Sequence, residues 1–254
     1  MRFRTLFPIA CLMLFLGSCA TSHYKVKSIS STRLAVDNSL EAIKDADAEE
    51  LIAPFRRMKD SIMSDVIGQA EVSMVRGRPE NALGNLIADV LRSSASRVLG
   101  HQADVALMNM GGMRTDLAKG DITVSNVYEI LPFENSLCVL TIKGSDLKKL
   151  FANIAARKGE AISGARIVIS QSGKLLDCKV GGQDVDDDKV YSLSTIDYLA
   201  EGNDGMTAIT SALTKQLPSD AILRDIFMQY VKDCAKEGKS LYSSVEGRVT
   251  LKEN

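Results

Sequence analysis

The chain has 254 residues, 45% of them apolar, and a formal net charge of −1, enough for one sizeable core and too balanced in charge for a basic nucleic-acid binder. Nucleic acid is therefore not an expected partner. Its two histidines, His23 and His101, lie far apart in no metal-ligand spacing, which gives no ground for a metal site.

Arg2 and Arg4 precede an apolar stretch from Phe7 to Phe15, and Leu16-Gly17-Ser18-Cys19 closes it. This is a targeting segment, set apart from the fold. Small residues before a cysteine resemble the bacterial lipobox, which implies a signal peptide over 1–18, lipidation of Cys19 and a membrane anchor; an ordinary cleaved signal or a short uncleaved helix are the alternatives. Ala20 at the next position implies, in organisms that sort lipoproteins there, the outer membrane of a Gram-negative envelope. Residues 19–45 are then a lipidated tether, with Tyr24–Lys27 and Ser28–Thr32 leaving room for one short strand. Cys138, Cys178 and Cys234 remain, an odd number that allows at most one disulfide. Cys138, inside the apolar run Leu137–Ile142, reads as a small buried hydrophobe.

From Ala46 to Gly68, Leu51, Ile52, Phe55, Met58, Ile62, Met63, Val66 and Ile67 recur at helical spacing, predicting a helix with one buried face, started or kinked by Pro54. Val72–Val75 reads as a short strand. Asn81 caps a second helix with an apolar stripe from Leu83 to Val98, ended by Gly100. Val105–Met108 reads as a buried strand running into Asn109, Gly111, Gly112 and Arg114. Glycines reach positive φ and leave amides uncovered, so this strand end suits an anionic or polar ligand; a tight turn with a solvated arginine is the simpler alternative.

Ile122–Val124 reads as extended, Val127–Leu131 as a helical turn, Pro132–Asn135 as a loop and Leu137–Ile142 as a strand. Ser145 caps a helix through Ile154. Ala165–Ser170 and Leu175–Val180 form a hairpin about Gln171–Lys174. Asp184–Asp188 is an acidic turn without the ligand alternation of a calcium loop. Val190–Ser194 is a strand, Tyr198–Met206 a glycine-bearing loop, Ser219 the cap of a last helix with Ile222, Ile226 and Tyr230 on one face, and Val245–Leu251 a closing strand. The interleaving predicts a single α+β domain over 46–254, a mixed β-sheet with flanking helices, preceded by its linker helix at about 46–68.

Four stretches, Asn81–Asp89, Asn109–Arg114, Leu131–Asn135 and Tyr198–Gly205, in order and spacing resemble the C-terminal, substrate-recognition domain of the 5′-nucleotidase and UDP-sugar hydrolase family. The resemblance implies that Phe133 and Tyr198 clamp a nucleobase, that Asp204 takes the ribose hydroxyls, that Asn109, Gly111 and Gly112 contact the ligand, and that Arg114 holds the substrate with Arg78 near another such position. Met110 and Met113 stand where the family has glycine and isoleucine, and Asn203 where it has glycine, which implies weaker binding or a different nucleoside.

The family's catalytic half is a separate metallophosphoesterase domain whose Asp-x-His, Gly-Asp-x-x-Asp and Gly-Asn-His signatures occur nowhere here. The residues between Cys19 and Ala46 are too few for such a domain. The resemblance thus implies a recognition half made as its own lipoprotein, with no catalytic residue or metal of its own. Its divalent metals belong on a separately encoded metallophosphoesterase partner. The alternative is a stand-alone envelope nucleotide or nucleoside binder without catalysis.

Overall fold

The computed structural model describes residues 24–42 and 45–252; the expected signal segment and Cys19 lie outside the described residues. The chain divides into two units, residues 1–52 and 53–254. In the first, residues 24–36 form no strand, and a 3-10 turn spans Asn38–Ala42, opened by Ser39 donating to Asp37 Oδ1.

Helix α1 is Ala46–Met63, with Pro54 inside it. Its stripe exists, but none of its residues is buried, and Leu51, Phe55 and Met58 are exposed. Among the described residues the expected buried face is thus absent: periodicity records an apolar stripe, whereas burial needs an element to cover it. The helix also stops short of Gly68. Val66–Ala70 instead forms strand β1, antiparallel to β3, Gly120–Thr123, because β-branched Val66 and Ile67 have a strand partner waiting. Of the strand expected at Val72–Val75, only a Met74–Leu117 bridge forms.

Helix α2, Ala82–Ser94, starts as predicted: Asn81 is extended and its Oδ1 accepts the Gly84 N–H at 2.7 Å. A short α3, Ser96–Leu99, follows and ends at left-handed Gly100. Strand β2, Val105–Met108, is buried at every position, as a strand covered on both faces must be. After β3, Thr123 and Asn126 form a reciprocal capping box for α4, Val124–Ile130.

Strand β4, Leu137–Lys143, leads into α5, Gly144–Ala156. Ser145 does not cap it; the position before the helix is Lys143, without a side-chain bond. Gly144 is the informative residue, since a Cβ there would lie 1.8 Å from the Asp186 carbonyl. Strand β5, Ala161–Ser163, is short, buried and unanticipated. The hairpin of β6, Ala165–Ser170, and β7, Leu175–Val180, is as expected, with β8 at Gln183–Asp184 beyond it. Strand β9 runs two residues further than read, Val190–Ile196, into a short α6, Asp197–Ala200. After β10, Thr214–Gln216, the last helix α7 is Leu223–Lys236, so Ser219 lies before it rather than capping it. Strand β11 is Val249–Lys252.

Among the described residues three sheets form. The central one has order β10-β4-β9-β2-β5, with β2 parallel to β9 and antiparallel to β5. A second has order β11-β6-β7-β8 with β11 parallel to β6, and β1 pairs β3. Helix α2 lies on β2 and β5, and α7 on β1 and α2. The architecture is α+β with mixed sheets, and its core is centred on fully buried Leu83, Ile87, Leu91, Leu107, Leu137, Phe151 and Phe227. Cys138 is fully buried and its thiol is pushed up to about 11 by that burial. Cys138, Cys178 and Cys234 are free thiols.

Candidate functional site

Strand β2 runs into Asn109, which is extended and buried, and the chain then makes a single 3-10 turn, Met110–Gly112. Neither Gly111 nor Gly112 adopts positive φ, so conformational freedom is not what the pair supplies. A Cβ on Gly112 would meet Met108 Cε at 2.3 Å and Asn109 Oδ1 at 2.8 Å. Gly111 has room, its nearest neighbours being Asn109 Nδ2 at 3.6 Å and Asp204 Oδ2 at 3.7 Å. Gly112 is therefore fixed by close approach, and Gly111 lies open beside two polar side chains.

The turn faces a second loop 95 residues later, where Asn109 Nδ2 donates to Asp204 Oδ2 at 2.6 Å. Asp204 adopts φ 53°, between left-handed Gly202 and Gly205, which Asp tolerates better than most residues. The Tyr198 hydroxyl donates to its other oxygen at 3.3 Å. The negative charge of Asp204, with some desolvation, holds the Tyr198 phenol above the usual tyrosine value.

Asn109, Gly111, Gly112, Arg114, Phe133, Asn135, Tyr198 and Asp204 line one cleft of about 370 Å³. Phe133 and Tyr198 are half-exposed. The Arg114 guanidinium lies 6.0 Å from the centre of the Phe133 ring and donates to the Gly111 carbonyl at 3.2 Å; among the described residues it has no carboxylate partner. Asn109 Oδ1 is a buried acceptor without a hydrogen-bond partner among the described residues. The cleft thus offers two half-exposed rings, a carboxylate and one unneutralised cation, a set that suits a planar polar ligand carrying hydroxyls and negative charge.

Seven of the eight residues singled out from sequence meet here, and Arg78 does not. Its side chain turns to Glu160 Oε1 at 2.5 Å and to the Gly159 carbonyl at 2.8 Å. Asn135 lines the cleft and was missed as a site residue, although it closes one of the quoted stretches; its Nδ2 donates to Asp197 Oδ1 at 3.1 Å. Arg157 and Glu160, in the segment between α5 and β5, carry no local signal. Among the described residues no group of three or more His, Cys, Asp or Glu side chains could hold a metal, and no helix is long and apolar enough to cross a membrane.

Residues 66–211 match the family described as 5'-nucleotidase, C-terminal domain. Endonuclease YhcR of Bacillus subtilis is 31% identical over 82% of this chain and 17% of its own length. Protein UshA of Yersinia enterocolitica is 26% identical over 90% of this chain and 42% of its own. The 5'-nucleotidase precursor from Thermus thermophilus superposes with a TM-score of 0.69 at 28% identity, over 82% of this chain and 43% of that one. The chain spans less than half the length of each.

Proposed function

We propose, because this chain belongs to the family of 5′-nucleotidase C-terminal domains, that it is the nucleotide-recognition half of a split 5′-nucleotidase, acting in nucleotide catabolism with a separately encoded metallophosphoesterase. The observation that carries this reading is the cleft. Two half-exposed rings, Phe133 and Tyr198, share it with the Asn109–Asp204 pair, and stacking on such rings accepts any base because every base has a π-face. Asp204 takes ribose hydroxyls, Asn109 and the open space at Gly111 admit the ligand, and Arg114 offsets phosphate charge. Arg78 acts indirectly, through Glu160. A compact cleft and scattered basic residues favour single nucleotides over nucleic acid.

The described residues present no donor set fitted to a metal, so no chemical step is assigned to them, and the divalent metals that activate water in such hydrolases are proposed for the partner. Recognition then contributes by placing the phosphoryl group. Lipidation at Cys19 would hold the pair at the envelope, on the outer membrane of a Gram-negative bacterium.

Calorimetry with a panel of nucleotides tests the reading. The chain should bind nucleoside monophosphates, and Phe133→Ala or Tyr198→Ala should each cost about 1–3 kcal/mol of affinity. Adding the metallophosphoesterase should produce turnover that Arg114→Ala lowers. Binding without turnover leaves stand-alone recognition; no binding, or equal binding by both ring variants, overturns the base clamp.

A further inference from the structure

Glu160 lies between α5 and β5 with its side chain fully buried. Its Oε2 accepts the N–H of Met110, the first residue of the site's turn, at 2.5 Å. Its Oε1 accepts Arg78 Nη2 at 2.5 Å and Arg157 Nε at 2.6 Å. A carboxylate sealed from water is tolerated only when paired and hydrogen-bonded, and here two guanidiniums and an amide do so. An ionised acceptor also makes the stronger bond to the amide. Glu160 holds Arg157 above the usual arginine value, its hydrogen bond being the main cause.

Arg157 does not stop at Glu160. Its Nη2 reaches Asp204 Oδ2 at 3.6 Å, the oxygen that also accepts Asn109 Nδ2. One guanidinium is thus shared unequally: hydrogen-bonded to Glu160, and only a longer ion pair to Asp204.

We infer that Glu160 is a positioning residue for the ribose end of the cleft, anchoring the Met110–Gly112 turn through one oxygen and, through the other, drawing Arg157 off Asp204 so that this carboxylate stays open to ligand hydroxyls. The inference rests on the nucleotide reading and deepens it. With the charge of Glu160 removed, Asp204 is the remaining carboxylate of Arg157 and is captured by it. Recognition of the ribose hydroxyls fails, while stacking of the base does not.

The full chain is titrated with adenosine and uridine 5′-monophosphates and with their 2′,3′-dideoxy analogues. Glu160→Gln should weaken the ribonucleotides about tenfold, the scale of a lost charge-assisted hydrogen bond, and the dideoxy analogues much less. Adding Arg157→Gln to that variant should return ribonucleotide affinity toward wild type. A destabilised scaffold would weaken both ligand sets alike, so equal losses, no loss, or no rescue overturn the inference. A separate measurement needs no nucleotide: in Glu160→Ala the Met110 amide should exchange hydrogen more than tenfold faster while α2 amides keep their protection, an open amide being one without its acceptor. Unchanged exchange at Met110 overturns the anchoring role. Failure of wild type to bind any nucleotide sinks the nucleotide reading instead, and the exchange measurement then decides for Glu160 alone.

Discussion

Two arginine–carboxylate networks in this chain use the same chemistry in opposite senses. In one, Arg248 grips Asp89 through two bonds of 2.7 and 2.8 Å, and its remaining donors go to Glu246 and to the carbonyls of Ile162 and Asn85. There the guanidinium is sealed, with its side chain 9% exposed, and the carboxylate is wet at 47%. In the other, Glu160 is sealed at 0%, and Arg78 and Arg157 are wet at 36% and 35%. A buried guanidinium whose donors are all taken has nothing left to offer a ligand; it ties the approach to β11 onto α2. A buried carboxylate between two half-wet arginines fixes them at one end and leaves donors free at the other. The first is a clip and the second is a mount for a site.

The sharpest way to separate them is Arg248→Met. It should cost about 3 kcal/mol in urea unfolding, because Asp89 and two carbonyls lose a charged donor, and should leave nucleotide affinity in the surviving folded protein unchanged. A fall in affinity as large as the fall in stability would break the distinction.

A smaller effect is expected at the turn. Gly112→Ala should destabilise by about 1–2 kcal/mol, since Met108 and Asn109 must both give way, and should weaken nucleotide binding through Asn109. Gly111→Ala, with room for its methyl, should stay within about 0.5 kcal/mol. Denaturation and calorimetry on the two variants check this, and equal behaviour would mean the turn carries no close approach.

The smallest effect concerns pH. Asp204 raises the Tyr198 phenol above its usual value, so the folded state keeps that proton longer than the unfolded chain. The stabilisation is present below the ordinary tyrosine value and is lost as pH rises through the raised one. Titration of labelled tyrosine by NMR should place Tyr198 above the ordinary tyrosine value, and Asp204→Asn should bring it down. No movement in that variant would show that the two side chains do not interact in solution.

What the sequence determined by itself was whatever a short run of residues can encode. The apolar period of α2 and its cap Asn81, the fully buried strand Val105–Met108, the β6–β7 hairpin and the stretches that meet in the cleft were all legible there, because caps, periods and turns act within a few residues. The tertiary structure decided what depends on partners far along the chain. Leu51, Phe55 and Met58 form the same stripe whether or not anything covers them, and among the described residues none of them is buried. The strand around Val66 needed β3 to exist, and β5 needed β2. Gly111 and Gly112 are adjacent letters with different physical reasons, visible only once Met108 and Asn109 are in place. Arg78 read as a ligand residue and Glu160 as nothing in particular, yet they join 82 residues apart. A buried carboxylate is identified by what surrounds it, and that surrounding comes from the Met110 turn, the end of α5 and the segment before α2 together.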